Sequence, residues 1–252
     1  MLVALNRLVE AKVRRLLGIR SIPHLVDAGS IPAGYGVALN ERAVEYPWAI
    51  PRLRGRVLDV GSALNHGWVL DRVLPRVDEL HIVTLAPERR SFVRRGISYV
   101  YADARELPYR NGVFDTVCCL STLEHIGMDN SGYGGGGAAA DPDVEQARAV
   151  AEMHRVLAPD GRLLVTVPYG RLENHGWLRQ FDEQALRRLF DLDSAVITVY
   201  AYRGRDGWTP ATLATAADAS YRAGPEPADL ANAARAVALI ELSPGSSDEK
   251  GS

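Results

Sequence analysis

Three short stretches of the chain place acidic, small or histidine residues directly after apolar runs. The first run ends at Asp59, which is followed by Gly61, Ser62 and Asn65. A carboxylate at that place can accept a hydrogen bond from an ammonium group or from a water bound to it, and a glycine lets a ligand approach the backbone closely. A tight strand-to-helix turn without a ligand would use the same residues, so this stretch alone leaves both interpretations open.

The second stretch, residues 100–108, places Asp103 and Ala104 just past another apolar run. An aspartate there can accept a hydrogen bond from an exocyclic adenine amine, and the backbone N–H of the alanine can donate one to a ring nitrogen. The third stretch, residues 114–125, crosses an apolar segment and ends in Leu-Glu-His. Histidine titrates near neutral pH, which makes His125 a candidate general base.

The elements that must position these residues follow from an alternation of strand-like and helical patterns. Short apolar runs alternate with helical segments from Arg56 onward, which predicts a parallel sheet covered by helices on both faces. The predicted strands are residues 57–60, 80–84, 98–101, 116–120, 163–167, 195–202 and 236–242, and the predicted helices are residues 68–74, 88–94, 144–157 and 183–190. In such a sheet ligands bind beyond the carboxyl ends of the strands.

The bulk properties of the chain argue against some classes of partner. Its 252 residues suit one α/β domain with extensions, and the formal net charge of −2 gives no reason to expect nucleic acid. No uncharged run of about 18 residues is present, so no stable membrane association is expected. Cys118 and Cys119 are adjacent and would point to opposite faces of a strand, which argues against a disulfide and fits a cytoplasmic location.

In this order and spacing, the stretches resemble the class I S-adenosylmethionine-dependent methyltransferases. They look most like the branch that acts on small molecules, whose fourth strand runs into a Leu-Glu-His segment. Residues 152–165 extend the similarity, which covers about residues 56–168. The resemblance implies an α/β fold with a doubly wound, Rossmann-like sheet of seven strands, mostly parallel with the last strand antiparallel, and an N-terminal helical cap. It also implies S-adenosyl-L-methionine as the cofactor.

The resemblance assigns residues to both ends of the cofactor. Asp59 and Gly61 match the motif that cradles the methionine end, and Asp103 with Ala104 matches the acid that faces adenine. Other residues match the segment that passes near the methyl group. The full set of predicted cofactor-binding residues is Asp59, Gly61, Ser62, Asn65, Thr84, Asp103, Ala104, Leu120 and Ser121.

Two regions depart from the family pattern. Ala63 and Asn65 stand in the first loop, where further glycines are usual. Thr84 stands at the end of the second strand, where the family has an acid that holds both ribose hydroxyls. A hydroxyl cannot reproduce the two-oxygen acceptance of a carboxylate, so either Thr84 makes a weaker contact or Glu88 or Asn65 substitutes.

Two histidines are candidates for removing the proton of a hydroxyl acceptor. His125 follows the fourth strand, where a structural role fits as well as a catalytic one. His175 lies in the loop after the fifth strand, at a place where binding residues concentrate, although this loop can also be surface whose aromatic residues pack into the core. Neither His125 with Asp129 nor Glu173 with His175 has a diagnostic metal-ligand spacing, so no metal is expected.

The expected function is methyl transfer from S-adenosyl-L-methionine to a small-molecule acceptor, with an oxygen of a sugar or natural-product intermediate as the first choice. One alternative is a non-catalytic scaffold or binding protein with the methyltransferase fold, which the thin first loop and Thr84 keep open. Another is a nicotinamide-dependent oxidoreductase, whose Gly-x-Gly-x-x-Gly fingerprint residues 61–66 do not supply. The oligomeric state stays open, a homo-oligomer included.

Three segments are expected along the chain. Residues 1–55 form an N-terminal helix and a lid-like extension, residues 56–243 the methyltransferase domain, and residues 244–252 a disordered tail. Apolar residues spaced by three and four along residues 2–16 predict an amphipathic helix, packed on its own domain or lying on a membrane surface. Residues 131–140 are so rich in glycine that ordering them costs much conformational entropy, which predicts a mobile loop.

Overall fold

The computed structural model describes Ile22 and residues 31–32, 34–133, 135–222 and 234–243. The helix predicted over residues 2–16 and the tail predicted over residues 244–252 lie outside the described residues. An eight-stranded sheet and a separate two-stranded hairpin organise the described part of the chain.

The elements alternate along the chain as the sequence predicts. In chain order the strands are β1 (Arg56–Val60), β2 (Glu79–Thr84), β3 (Ile97–Tyr101), β4 (Phe114–Leu120), β5 (Leu157–Pro168), β6 (Glu173–Asn174), β7 (Arg179–Gln180), β8 (Val196–Tyr202), β9 (Trp208–Ala211) and β10 (Ala236–Leu242). The α-helices of the described ranges are α1 (Arg42–Ala49), α2 (Gly67–Val73), α3 (Pro142–Val156), α4 (Glu183–Leu189) and α5 (Leu213–Ala216). The order across the large sheet is β3-β2-β1-β4-β5-β10-β8-β9.

Strands β1 to β5 are parallel, and β10 runs antiparallel to both of its neighbours, β5 and β8. The predicted doubly wound sheet with an antiparallel last strand is therefore confirmed. The sheet has an eighth strand, β9, which pairs antiparallel with β8 at the edge and is not among the predicted strands. Its four residues include Pro210, which lacks a backbone donor and is tolerated at edges, so the local strand signal is weak.

Helices pack on both faces of the sheet over two apolar clusters. α1 and α2 cover one face, where Val44 and Leu70 are buried. α3 and α4 cover the other face, where Met153 and Leu186 are buried. α3 begins after Asp141, whose carboxylate accepts hydrogen bonds from two backbone N–H groups of the first turn, which is the N-cap role that its position favours.

The prediction of a helix over residues 88–94 is wrong. The structure has a loop there, followed by one 3-10 turn, Val93–Arg95. A helix of so few residues has little intrinsic stability, and the contacts of Glu88 with Ser62 and Asn65 hold this loop against the end of β1. The loop thereby brings a carboxylate to the ligand-binding edge of the sheet.

The carboxyl ends of β1 to β5 meet at one edge, and backbone hydrogen bonds continue past the strand ends. Gly61 N donates to Val83 O (2.8 Å), and Ser121 N donates to Thr166 O (3.0 Å). These bonds hold the loops after β1 and β4 close to the neighbouring strands. The edge is therefore lined by loops of defined conformation, at the place where open α/β sheets bind ligands.

Candidate active site

A cavity of about 620 Å³ lies at the carboxyl ends of β1 to β4. Its size falls within the range of cofactor and small-molecule sites. The predicted site residues that line it are Gly61, Thr84, Asp103, Ala104, Ser121 and His125. The predicted residues that are not part of its lining are Asp59, Ser62, Asn65, Leu120 and His175.

Asp59 is fully buried at the end of β1 and holds the loop that follows. Its Oδ2 accepts a hydrogen bond from Leu64 N (2.8 Å), and Cys118 Sγ lies 3.8 Å from its Oδ1. Burial raises the pKa of Asp59 to about 7, because desolvation disfavours the charged form. Asp59 thus shapes the loop beside the cavity, and its contact with the methionine end of a cofactor stays a prediction.

The turn after β1 requires glycine at position 61. Gly61 has a φ of +94°, and a Cβ there would overlap the Thr122 side chain. Ser62 follows with a φ of +61°, which is uncommon for a residue other than glycine. This tight turn makes the backbone of Gly61 part of the cavity wall.

Glu88 lines the cavity from the loop after β2. Ser62 Oγ donates to its Oε1, and Asn65 Nδ2 donates to its Oε2 (2.6 Å). Tyr99 OH in turn donates to Asn65 Oδ1 (2.7 Å). Thr84 lines the cavity too, but it offers a single hydroxyl. The family has an acid at the position of Thr84, and the sequence left Thr84, Glu88 or Asn65 as possible ribose contacts. The geometry favours Glu88 among these three, with Ser62 and Asn65 as the residues that position its carboxylate.

Asp103 follows β3 and forms a two-pronged ion pair with Arg105. Arg105 Nε and Nη2 lie 2.9 and 2.6 Å from Asp103 Oδ1 and Oδ2, and the guanidinium also pairs with Glu145 of α3. Hydrogen bonds from Arg105 lower the pKa of Asp103, so its carboxylate is ionised at neutral pH. It keeps lone pairs for an exocyclic amine, and Ala104 lines the cavity beside it.

Helix α1 contributes two charged residues that the sequence patterns do not single out as site residues. Glu45 is fully buried, and its Oε1 accepts from Ser121 Oγ and Thr166 Oγ1, both at 2.5 Å. Its Oε2 pairs with Arg42 Nη1 (2.7 Å), which also donates to Leu120 O (3.2 Å). Arg42 lines the cavity, so α1 supplies a cation there. The sequence signal for this pair is a group of charged residues within an otherwise apolar segment.

Two more carboxyl groups are buried near this pair. Oε2 of Glu41 and Oε2 of Glu124 are buried and have no hydrogen-bond partner among the described residues. Burial raises the pKa of Glu41 to about 7 and the pKa of Glu124 well above its ordinary value, and the negative charge of Glu45 adds to both effects. We therefore expect both groups to hold their protons to higher pH than exposed glutamates do.

His125 lines the cavity and stacks on Trp177, with ring centroids 5.2 Å apart. Its Nδ1 lies 2.9 Å from Trp177 O. Because a carbonyl oxygen only accepts, Nδ1 carries the proton and the neutral ring has its lone pair on Nε2. Burial lowers the pKa of His125, which favours the neutral ring at physiological pH. This is the tautomer and charge state that a general base at Nε2 needs.

His175 lies after β6, in the β6–β7 hairpin, outside the cavity lining. Its Nε2 pairs with Glu173 Oε2 (3.0 Å), and the same carboxylate accepts from Ser220 Oγ (2.6 Å) and Tyr221 N (3.0 Å). The Tyr221 ring packs against both His175 and Trp177, with centroid distances of 5.1 and 6.2 Å. His175 thus belongs to a network that holds the hairpin. Across the ranges that the structure describes, no three His, Cys, Asp or Glu side chains converge in a way that could hold a metal ion.

The glycine-rich segment borders the cavity. Gly135, Gly136 and Gly137 line it. Asn130 N donates to Gly136 O and Gly135 N donates to Asn130 O, both at 3.0 Å. A Cβ on Gly135 would lie 2.8 Å from Asn130 Cβ and 3.2 Å from Leu85 Cδ1, so glycine permits this close approach to the loop after β2. The mobility of the segment stays a prediction.

Part of this chain is similar to a known family of protein domains. Residues 58–165 match the family model described as a methyltransferase domain. An uncharacterized methyltransferase of Mycobacterium tuberculosis is 30% identical over 161 residues, which are 61% of this chain and 58% of that protein. The chain therefore spans less than two thirds of the length of this curated relative.

Similar solved structures include two methyltransferases. The 1,6-didemethyltoxoflavin-N1-methyltransferase of Burkholderia thailandensis, with bound 1,6-didemethyltoxoflavin and S-adenosylhomocysteine, has 17% identity, covers 76% of this chain and 72% of its own, and gives a TM-score of 0.47. The N-methyltransferase NodS of Bradyrhizobium japonicum, in complex with S-adenosylhomocysteine, has 14% identity, covers 75% of this chain and 76% of its own, and gives a TM-score of 0.42.

Residues 58–165 are thus similar to a methyltransferase domain, and the order of the sheet is that of a doubly wound fold. Both findings confirm the resemblance to class I S-adenosylmethionine-dependent methyltransferases that the sequence motifs carry. S-adenosylmethionine is the cofactor of this enzyme class. The match to a methyltransferase domain favours methyl transfer over the nicotinamide-dependent alternative.

Proposed function

We propose that this chain transfers a methyl group from S-adenosylmethionine to a small-molecule acceptor, with an oxygen of a sugar or natural-product intermediate as the first choice. The observation that carries the proposal is the placement of His125, with its lone pair on Nε2, in the lining of the cavity at the strand ends. A hydroxyl acceptor must lose its proton during the transfer, and a neutral imidazole is suited to take it near pH 7.

The residues around the cavity fit the cofactor. Glu88, held by two partners, offers two carboxylate oxygens for the ribose hydroxyls, and Asp103 with the N–H of Ala104 suits the edge of adenine. Arg42 suits the carboxylate at the methionine end. When bound, S-adenosylmethionine supplies a methyl group on a positively charged sulfur.

The protein's own residues would orient the acceptor and hold the proton. His125 would accept the hydroxyl proton at Nε2, while the bond from Nδ1 to Trp177 O keeps the ring in one orientation and stabilises it once it is charged. The glycine-rich segment beside the cavity would limit the access of water.

Isothermal titration calorimetry with S-adenosylhomocysteine, S-adenosylmethionine and NAD tests the cofactor part of the proposal. We expect both sulfur ligands to bind and NAD not to bind. Glu88→Gln should weaken S-adenosylhomocysteine binding about tenfold or more, because a hydrogen bond to a charged group contributes roughly 1.5–3 kcal/mol. Glu106→Gln is the matched control, because Glu106 is exposed and lies outside the cavity lining. A chain that binds neither sulfur ligand would contradict the enzyme proposal, and one that binds them without turnover would support the scaffold alternative.

The partners and the location are part of the proposal. We propose a cytoplasmic protein whose partner is a small molecule, without a nucleic-acid or stable membrane partner. The formal net charge of −2 argues against nucleic acid. Of the helices in the described part of the chain, none is both long and apolar enough to span a bilayer. Light scattering after size-exclusion chromatography would determine whether the chain forms a homo-oligomer.

A further inference from the structure

The turn of the β6–β7 hairpin contacts the ring of His125 through Trp177. Trp177 O lies 2.9 Å from His125 Nδ1, and the two rings stack with their planes at 26° and their centroids 5.2 Å apart. The neighbouring Gly176 O accepts from Asp129 N (3.0 Å), which binds the turn to the segment after His125 at a second point. The orientation of the imidazole therefore depends on the position of this turn.

The Trp177 side chain lies at the surface, where it is 40% exposed. Exposed side chains change rotamer readily, so the few contacts that Trp177 makes decide the position of its ring. Besides His125, the ring meets Tyr221 in a T-shaped arrangement, with the planes at 74° and the centroids 6.2 Å apart, which is a favourable geometry for an aromatic pair. Tyr221 follows α5, so an element distant in the sequence supports the residue that contacts the base.

Glu173 binds Tyr221 to the hairpin. Its Oε1 accepts from Ser220 Oγ, and its Oε2 accepts from Tyr221 N and from His175 Nε2. Burial raises the pKa of Glu173, but the hydrogen bonds from these three residues outweigh this effect and lower it, so the group is ionised at neutral pH. Hydrogen bonds to an ionised acceptor are strong. The amide of glutamine can donate in place of the imidazole, so His175→Gln keeps the network.

A second set of hydrogen bonds holds the start of this segment without Glu173. Ala219 O accepts from Arg171 N and from Gln180 Nε2, both at 2.9 Å. Gln180 is fully buried in β7. The chain up to Ala219 therefore stays bound when the Glu173 carboxylate is removed, and the loss falls on Ser220 and Tyr221.

We propose that Glu173 is a positioning residue for methyl transfer: it holds Tyr221 against Trp177, and Trp177 holds His125 in the orientation of a general base. The inference rests on the proposed function, in which His125 takes the proton of the acceptor. Glu173 lies outside the lining of the cofactor cavity. It acts through these contacts and does not touch the cofactor or the acceptor.

Steady-state kinetics of two variants at position 173 tests the proposal. Glu173→Ala removes all three hydrogen bonds and should lower kcat about 10- to 100-fold, since a small misplacement of a catalytic group has effects of this order. The KM for S-adenosylmethionine should not change. Glu173→Gln should restore most of the activity, because its oxygen can accept from Tyr221 N and its amide can donate to Ser220 Oγ. Glu183→Ala is the matched control, since it removes an exposed ion pair with Arg187, and it should keep the wild-type kcat.

A double-variant cycle shows whether the effect passes through Trp177. If it does, Glu173→Ala combined with Trp177→Ala should have the kcat of Trp177→Ala alone, because residues that act through one contact are not additive. Losses that multiply would overturn the proposal, and so would a wild-type kcat in Glu173→Ala or the same loss in Glu173→Gln. If Glu173→Ala does not fold, Tyr221→Leu removes the ring and keeps the backbone bond to Glu173. That variant should also lower kcat, and an unchanged value would overturn the proposal.

An NMR titration of His125 gives a measurement that does not need turnover. The chain has six histidines, and the signal of interest is the one that His125→Gln lacks. Burial is the largest effect on the pKa of His125 and lowers it, the hydrogen bond to Trp177 raises it, and the charge of Arg42 in α1 lowers it. Releasing Trp177 should expose the ring, so Glu173→Ala should raise this pKa towards 6.5.

The titration separates failure of this inference from failure of the proposed function. An unchanged pKa of His125 in Glu173→Ala would overturn the positioning role. A raised pKa in a chain that transfers no methyl group would show that Glu173 positions His125, and would contradict the proposed methyl transfer alone.

Discussion

At the scale of single residues, His125 and His175 have the same side chain in different surroundings. His125 lines the cavity and donates from Nδ1 to a carbonyl, which leaves the lone pair on Nε2. His175 has its Nε2 paired with the Glu173 carboxylate outside the cavity lining. A carboxylate only accepts, so Nε2 of His175 carries a proton. Of the two candidate bases, the structure therefore favours His125.

Replacing His125 by glutamine should lower kcat for methyl transfer to a hydroxyl acceptor. The loss should be about 10²–10⁴-fold, the usual contribution of a general base, while the dissociation constant of S-adenosylhomocysteine stays unchanged. Steady-state assays over a panel of sugar and phenolic acceptors would measure it. His175→Gln is the matched control and should keep most of the activity. Full activity of both variants would show that neither histidine is the base, and would leave the alignment of cofactor and acceptor alone as the mechanism.

The pH dependence of kcat should reflect the environment of His125. Burial lowers its pKa below the ordinary value of 6.5, and only the neutral ring can accept a proton. The midpoint of the decline in activity on the acid side should therefore lie below pH 6.5. A decline centred above pH 6.5 in the kcat profile would contradict this assignment.

At the scale of elements, one buried carboxylate joins α1 to the sheet. Glu45 accepts from Ser121 after β4 and from Thr166 in β5, and it pairs with Arg42 in its own helix. The same group thus fixes the position of the helix and the orientation of a cavity-lining cation. The N-terminal extension is therefore tied to the site, at least over α1.

Glu45→Gln should lower the free energy of unfolding by about 3 kcal/mol, because it removes a fully buried carboxylate that pairs with the partly buried Arg42 guanidinium. Urea denaturation would measure the change. Glu79→Gln is the matched control, since it breaks the exposed ion pair with Arg56 and should cost less than about 1 kcal/mol. Equal small losses in both variants would contradict the anchoring role of Glu45.

At the scale of the whole molecule, buried carboxyl groups link stability to pH. The pKa of Asp59 is raised from 3.8 to about 7 by burial, so the folded protein holds this proton more tightly than the unfolded chain does. Between about pH 4 and pH 7 the folded state binds more protons, and this group's contribution to stability falls as the pH rises. Glu41 and Glu124 act in the same direction.

Asp59→Asn should remove the part of this dependence that belongs to Asp59. The amide oxygen can still accept from Leu64 N, so the loop is retained. We expect the free energy of unfolding of the variant, relative to wild type, to increase from pH 4 to pH 7 and then to level off. Urea unfolding at several pH values would measure the free energies of both proteins. A difference between variant and wild type that does not change from pH 4 to pH 7 would show that Asp59 is ionised over this whole range.

Much of the fold could be predicted because its signals are local. Apolar runs marked the seven predicted strands, and Asp141 marked the start of α3. Five of the nine predicted cofactor-binding residues, together with His125, line the cavity because each follows or ends a parallel strand. The helix predicted over residues 88–94 and the unpredicted strand β9 show the limit of such signals, since tertiary contacts decide the conformation of short segments.

By itself, the sequence determined the class of domain, the order of its elements and the residues at the strand ends. Only the tertiary structure decided that Glu88 lies in the cavity lining, that Asp59 is turned into the core, and that Glu45 meets Ser121 and Thr166, which lie 76 and 121 positions away. The physical reason is that strand and helix periodicity and turn chemistry are properties of neighbouring residues. Burial, counter-charges and hydrogen bonds between distant side chains arise only when the elements pack.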